Sequence, residues 1–267
     1  DRTREYRFTQ ELTWAHDFDK HHIDVLLAHE SFKHSYNYDF MMKEQMKVSG
    51  NTEMSNFAKM TSIDGYNQEY TTESYLSRAR YNFAERYFLD ASFRRDGSSR
   101  FSDPWGNFWS LGASWIISQE KFMKDLTWID NLKFRVSYGE VGNDAGADYY
   151  AYKELFYSDV NAGIGAFYKI QIPNKNLKWE TSGSLDSRLF NRFNFSLDFF
   201  NKTSKDLLFT VYNPLSAGAT DWFATSDETP SGMSQYFANI GSVRNTGLEV
   251  AMDVDAIRTK DWKWNIG

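Results

Sequence analysis

The stretch YFLDASFRRDGSSRF, residues 87–101, interleaves two sequences. Tyr87, Leu89, Ala91 and Phe93 alternate with Asp90, Ser92, Arg94 and Asp96, and Phe88 alone breaks the pattern. Successive side chains of a β-strand point to opposite faces, so this period marks a strand that is greasy on one side and charged on the other. A packed core excludes the charged set, and a soluble surface strand seldom carries so many rings beside so many charges.

The same alternation recurs along the chain. Tyr6, Phe8, Leu12 and Trp14 stand against Arg7, Thr9, Glu11 and Thr13, and Ile23, Val25 and Leu27 against His22, Asp24 and Glu30. Further runs fall at 75–83, 108–116, 131–138, 178–188, 193–203 and 247–255, and another strand begins at Trp262. Together they predict about ten strands. Short connections (17–22, 84–86, 190–192, 258–261) alternate with long ones (48–73, 97–107, 141–176, 209–241) rich in Gly, Ser, Asn, Asp and Thr. The segment 118–130 is expected to hold a short helix capped by Ser118, with Phe122, Met123 and Leu126 turned inward.

Composition narrows the setting. The 267 residues include 22 Phe, 16 Tyr and 9 Trp, yet the mean hydropathy is −0.61. A net charge of −6 argues against a general nucleic-acid partner, which needs a basic face for phosphates. With no cysteine, a disulfide scaffold and thiolate metal sites are excluded. No run reaches the roughly 18–20 apolar residues of a transmembrane helix. The chain opens without a signal peptide and breaks off in what reads as a strand, so a piece of a longer protein is expected.

Short turns on one side, long loops on the other, and strands that are apolar-out and polar-in are the requirements of a transmembrane β-barrel. Aromatics gather beside the short turns, at Trp14, Phe83, Tyr87, Trp115, Phe190, Phe193, Trp262 and Trp264, where a barrel carries its interfacial girdle. The fold expected is all-β, one antiparallel barrel-wall domain over residues 1–267. The polar set would line the lumen: Arg78, Arg80, Asp90, Ser92, Arg94, Arg135, Glu180, Asp186, Arg188, Asp198, Glu249 and Asp253. A wall of both signs suits contact with another protein surface, such as an internal plug, as well as water.

In these motifs the chain resembles the barrel of SusC/RagA-like TonB-dependent outer-membrane transporters of the Bacteroidetes. The resemblance is carried, in order, by RYFLDASFRRDGSSRF (86–101), WGNFWSLGASWIISQEKFM (105–123), LKFRVSYGEVGN (132–143), NLKWETS (176–182), DFFNKTSKDLL (198–208), PLSAGA (214–219) and NIGSVRNTGLEVAM (239–252). Residues 1–74 match in style alone. The resemblance implies a barrel of about 22 strands closed around a plug. It further implies energy from the TonB complex, residence in the bacterial outer membrane, and a SusD-like surface lipoprotein as lid. The cargo it implies is an oligosaccharide, or in some members a peptide. The plug, the TonB-contacting segment and the other strands lie outside these residues, so transport belongs to the parent chain.

No catalytic, metal or cofactor site is expected. His16, His21, His22, His29 and His34 all fall in the first 34 residues, but His21 and His22 sit in or beside a short turn and His22 and His29 fall on opposite strand faces, so they do not converge as metal ligands must. GNDAGAD (142–148) lacks the spacing and distal Glu of a calcium loop, and GIG (163–165) lacks the context of a dinucleotide fingerprint. Candidates for contact with cargo or lid are the loop aromatics Trp105, Tyr149, Tyr150, Tyr168, Trp222 and Phe223, whose faces stack on rings while polar neighbours orient them. For Trp105 and Trp222, packing that anchors the loops is the favoured role. Two other classes compete: a ten-stranded outer-membrane protease, disfavoured by histidines away from the outer loops, and a soluble all-β binding module.

Overall fold

The computed structural model describes residues 1–126, 132–161, 163–191, 195–214, 235–252, 254–258 and 263–266. Its strands are β1 (Arg2–Phe18), β2 (His21–Met46), β3 (Phe57–Phe83), β4 (Tyr87–Ser98), β5 (Trp105–Ile116), β6 (Lys133–Asn143), β7 (Leu155–Asn161), β8 (Ile164–Gln171), β9 (Glu180–Asn191), β10 (Phe195–Lys205), β11 (Leu208–Tyr212), β12 (Gln235–Asn239), β13 (Ser242–Ala251), β14 (Val254–Arg258) and β15 (Lys263–Ile266). Nine of them form one sheet in the order β1-β2-β3-β4-β5-β6-β9-β10-β13. Every neighbouring pair in it is antiparallel. The wall meanders in chain order, passing over β7 and β8 between β6 and β9 and over β11 and β12 between β10 and β13, and β14 pairs with β15 apart from it.

Register carries each face across the sheet. Trp14 lies opposite Val25, Val25 opposite Ala79, Ala79 opposite Ala91, and Ala91 opposite Leu111. The parallel row on the other side runs Asp24, Arg80, Asp90, Gly112, Ser137, Asp186. One face is therefore apolar and the other polar over the whole wall. The apolar face is uncovered: Leu12, Leu89, Leu111 and Leu248 are 65%, 51%, 53% and 62% exposed. Only seven apolar residues are buried among those described, and none lies on that face. A water-soluble sandwich buries its apolar face against a second sheet. This sheet needs an apolar medium instead.

At the short-turn end a chain of rings crosses the apolar face. Phe18 stacks on His21 (4.9 Å), His21 packs on Phe83 (4.8 Å), Phe83 on Tyr87 (6.1 Å) and Tyr87 on Trp115 (6.3 Å). Glu120 ties this belt to the β5–β6 connection. It accepts hydrogen bonds from the Tyr87 hydroxyl (2.5 Å), the Trp115 indole (3.2 Å) and Arg86 (3.3 Å).

Three expectations change. The connection 118–130 holds two 3-10 turns, Ile117–Gln119 and Lys121–Met123, with no side-chain cap; residues 127–131 lie outside the described part. Phe122 is 65% exposed rather than turned inward, with its ring edge-on to Trp115 (6.5 Å). The supposed loop 48–73 is largely strand, since β2 and β3 run 26 and 27 residues and leave a connection of residues 47–56. Crossing a bilayer takes about 9–11 strand residues, so this hairpin projects far past the apolar band. Cross-strand pairs hold it there, with Lys33 on Glu69 (2.9 Å) and rings of Tyr38 and Tyr66 in contact (5.1 Å). Last, the long connections 141–176 and 209–241 contain β7, β8, β11 and β12, which form a second, four-stranded sheet.

Candidate functional site

The polar face is a lattice of opposite charges set by register. Arg80 reaches Asp90 across β3–β4 (3.3 Å), and Arg188 pairs with Asp198 across β9–β10. Arg94 holds Asp96 on its own strand (2.7 Å) and Ser74 on β3 (3.3 Å). The Ser92 and Ser110 hydroxyls share a hydrogen bond of 2.6 Å. Asn143 donates weakly to Glu180 (3.5 Å), and Ser184 to Asp186 (2.9 Å). Arg135 stands directly opposite Arg188 and beside Ser114, and no ion pair to it occurs among the described residues. It borders two concavities of 610 and 410 Å³; Asp24, Arg80 and Asp90 line the first, and Asp186, Arg188, Asp198 and Glu249 the second.

The predicted lumen set thus shares one face, Arg78 (opposite Ser92) included. Asp253 lies outside the described residues. Phe88, the residue that broke the opening pattern, belongs to this polar face with the Lys133 ammonium 5.0 Å from its ring centre. Phe200 is on the same face, where Gly247 leaves room for it: a Cβ there would lie 2.5 Å from the ring.

At the long-loop end the connections are bound together. Phe101, Ala147, Ala151, Leu177, Leu208 and Phe237 form a small buried core drawn from three connections of the wall, β4–β5, β6–β9 and β10–β13, with Trp179 packed against it. Buried Gln171 donates to the carbonyls of Tyr150 (2.9 Å) and Lys153 (2.8 Å). Asp144 is the hub that joins this unit to the wall. Its carboxylate accepts from Ser98 (2.7 Å) and Tyr70 (2.9 Å), and its carbonyl from Arg100 (2.9 Å). The Arg100 guanidinium lies over the Tyr70 ring at 4.4 Å. Burial, and then the adjacent Asp144 carboxylate, push the Tyr70 hydroxyl well above the usual tyrosine range. Beneath, a concavity of 530 Å³ is lined by Ser74, Arg94, Asp96, Phe108 and Trp179 among others.

The loop aromatics meet different fates. Tyr149 stacks on Tyr70 (5.7 Å, 8° between planes), and the Tyr150 hydroxyl accepts from the Glu69 amide (3.2 Å). Both lash residues 144–153 to β3. Tyr168 belongs to β8, opposite Tyr157, and not to an irregular loop. Trp105 opens β5 on the apolar side, 6.2 Å from Tyr75 and under the Arg95 guanidinium at 4.8 Å. Its assignment to the loop is therefore corrected: strand parity carries it outward with Trp109 and Leu111. Trp222 and Phe223 lie outside the described residues. Missed from sequence were Trp179, Asp144 and Arg100. Trp179 donates to the Pro104 carbonyl (2.9 Å) and meets Phe108 edge-on (5.5 Å). Asp144 stands within the GNDAGAD run, which in sequence reads as an outer loop without the spacing of a calcium site. The histidines bind separate partners, His22 with Asp17, His29 with Glu73 and His34 with Glu5, and no cluster able to hold a metal occurs among the described residues.

A meandering wall with one uncovered apolar face, a charged opposite face and a packed outer loop layer is a barrel segment. The family model for the TonB-dependent receptor-like β-barrel matches residues 1–267. The chain belongs to this family. It is 38% identical over 202 residues to the TonB-dependent receptor P39 of Formosa agariphila, a match covering 72% of this chain and 18% of that relative. To the TonB-dependent receptor SusC of Bacteroides thetaiotaomicron it is 32% identical over 224 residues, or 78% of this chain and 21% of that one. In fold it is similar to the RagAB peptide transporter, with a TM-score of 0.81 at 23% identity over 98% of this chain and 28% of that chain. The SusC/RagA-like resemblance carried by the motifs holds. The chain spans about a fifth of the length of these curated relatives.

Proposed function

We propose that these residues are part of the wall and outer loops of a TonB-dependent importer in the bacterial outer membrane. The observation that carries this is the pair of faces on one nine-stranded sheet, the apolar one uncovered and the charged one continuous. In a bilayer every backbone polar group must pair within the protein, which a closed barrel alone achieves for strands. The open edges at β1 and β13 would then pair with the rest of the parent chain. The apolar face meets lipid and the charged face meets the lumen and plug. The role is transport and not catalysis.

On this reading the cargo is an oligosaccharide or a peptide, admitted under a SusD-like surface lipoprotein and drawn in by the TonB complex. Support comes from the family, from the SusC relative and from a structural neighbour described as a peptide transporter. Both cargo chemistries use ring faces beside polar groups, which the outer concavity offers at Trp179, Arg94 and Asp96.

The experiment is to express the parent chain in a bacterium with and without TonB. The protein should require detergent for extraction, show heat-modifiable gel mobility, and support uptake of labelled oligosaccharides or peptides in the TonB-positive strain alone. Extraction into buffer as a folded monomer, or uptake indifferent to TonB, would overturn the proposal.

A further inference from the structure

The apolar face carries a trough toward its long-loop end. One rung of the wall runs Leu12, Leu27, Ser77, Phe93, Trp109 across β1 to β5, and the rung below it runs Trp14, Val25, Ala79, Ala91, Leu111. Large side chains thus flank the small residues Ser77, Ala79 and Ala91, which neighbour one another on β3 and β4. At Ser77 the dip is an outward-facing groove of 440 Å³, walled by Leu12, Leu27 and Phe93. By register, Ala79 and Ala91 extend its floor toward mid-membrane. The Ser77 hydroxyl is turned to the backbone, donating weakly to the Phe93 carbonyl (3.5 Å), so it does not reach into the groove. The rung above, Gln10, His29 and Tyr75, gives the groove a polar upper end, and that rung finishes on Arg95.

Arg95 is an exposed cation on a built platform. Its guanidinium lies over the Trp105 ring at 4.8 Å, and no ion pair to it occurs among the described residues. The outward carboxylate one rung up, Glu73, is engaged by His29, whose ring stacks on Tyr75 (5.0 Å). Gly97 stands opposite Trp105, and a Cβ there would lie 3.0 Å from the indole, so glycine lets the ring settle onto β4. Tyr75 borders the same indole at 6.2 Å. Along the tilted strand, Arg95 stands roughly 20 Å above the Tyr87 belt. That is the outer boundary of the apolar band, where lipid headgroups begin.

We infer that the trough and Arg95 together form a binding site for a phosphate-bearing lipid of the outer leaflet, with an acyl chain along Ser77, Ala79 and Ala91 and the phosphate on the guanidinium. The planar guanidinium matches phosphate oxygens in a two-pronged hydrogen-bonded pair. Tryptophan and tyrosine beside it suit the headgroup level, where one side of a ring is apolar and the other wet. Position decides the occupant. The floor of the trough lies on β3 and β4, in from the β1 edge, on the side of the wall away from the lumen. A plug would fill the opposite side, and further strands of the parent chain would join edge-on at β1 and β13. Hydrocarbon is the medium that reaches this groove, and the uncompensated cation above it selects an anionic headgroup. The inference rests on the reading of the apolar face as lipid-facing, and it adds a ligand that transport does not call for.

The test uses the full parent chain in detergent. Native mass spectrometry counts the lipid retained after addition of phosphatidylglycerol, or of diacylglycerol with the same chains and no phosphate. The unaltered chain should retain phosphatidylglycerol well above diacylglycerol. Arg95→Gln should lower that retention by about fivefold, the scale of one cationic contact to an anionic lipid. Ser77→Leu, which fills the trough, should lower it by a similar factor. Ala113→Leu, on the same face beside Leu89 and outside the trough, should leave it unchanged. All three positions face lipid, so heat-modifiable mobility should be kept, and Arg95→Gln alone decides the matter if Ser77→Leu fails to fold. Retention unchanged in Arg95→Gln, a folded Ser77→Leu that retains lipid fully, an equal loss in Ala113→Leu, diacylglycerol held as well as phosphatidylglycerol, or full displacement of the lipid by inorganic phosphate would overturn the inference. The need for detergent and TonB-dependent uptake, measured in parallel, report separately on the transporter reading.

Discussion

Placing an arginine at Ala91 is the most direct energetic probe of the apolar face. On the outward side of β4, Tyr87 marks the ring belt at the short-turn end and Arg95 the first charge at the other. Ala91 lies midway. Four residues from each end at about 3.4 Å per residue, with strands tilted about 40°, put it roughly 10 Å above the belt, near the centre of an apolar band about 25 Å tall. Arginine on the lipid face costs about 2–4 kcal/mol at mid-membrane, a fall of about 30- to 900-fold in the folding equilibrium. Leu89→Arg, one outward position nearer the belt, should cost somewhat less. Ser92→Arg is the control: it faces the polar side opposite Arg78 and Ser110, where the added repulsion is about 0.2–1 kcal/mol. The assay is folding of the parent chain into lipid vesicles across a urea series, followed by heat-modifiable mobility. If Ala91→Arg and Ser92→Arg shift the midpoint equally, β4 does not span a bilayer.

Three further outcomes follow from particular contacts. Hydrogen bonds from Tyr87 and then Trp115 hold the Glu120 carboxyl below its ordinary range. A depressed carboxyl contributes stability above its unfolded pKa and loses it as pH falls, so Trp115 fluorescence should report a loosened belt under acid, and Glu120→Gln should abolish that response. Removing the hub with Asp144→Ala strands the Ser98 and Tyr70 hydroxyls and should cost about 1.5–3 kcal/mol of local stability, seen as faster hydrogen exchange in 144–153 with the wall unchanged. Gly142→Ala would set a Cβ 2.0 Å from the Phe108 ring. Phe108 is 5% exposed and boxed by Trp179, so overpacking should cost about 1–3 kcal/mol, and Phe108→Ala in the same chain should relieve most of it.

Much of the wall was legible in the sequence because strand parity is rigid. Once Leu89 faces out, Asp90 faces in, and pairing carries that choice to Arg80 and Asp186 without further information. The same rigidity explains Phe88, which hydrophobicity alone assigns to the wrong face and which parity puts beneath Lys133, and Trp105, which its Gly- and Ser-rich surroundings assign to a loop and which parity puts on the apolar face beneath Arg95. The projecting hairpin was hidden because its alternation is between rings and small polar groups rather than between apolar and charged ones. Glycine, serine and asparagine in 48–73 read as loop until cross-strand pairs such as Tyr38 with Tyr66 are seen. The outer loop layer was least legible. Asp144 and Arg100 are 44 residues apart and acquire their roles only from tertiary contact.

Site-directed labelling along residues 87–94 tests the account most directly, and the chain has no cysteine to interfere. Single cysteines carrying a spin label would be introduced in the parent chain, reconstituted in lipid, and exposed to a lipid-soluble and a water-soluble relaxation agent. Labels at 87, 89, 91 and 93 should favour the lipid-soluble agent, and labels at 88, 90, 92 and 94 the water-soluble one, with a period of two residues. Accessibility without that alternation, or water exposure at both 89 and 91, would contradict a membrane-spanning wall.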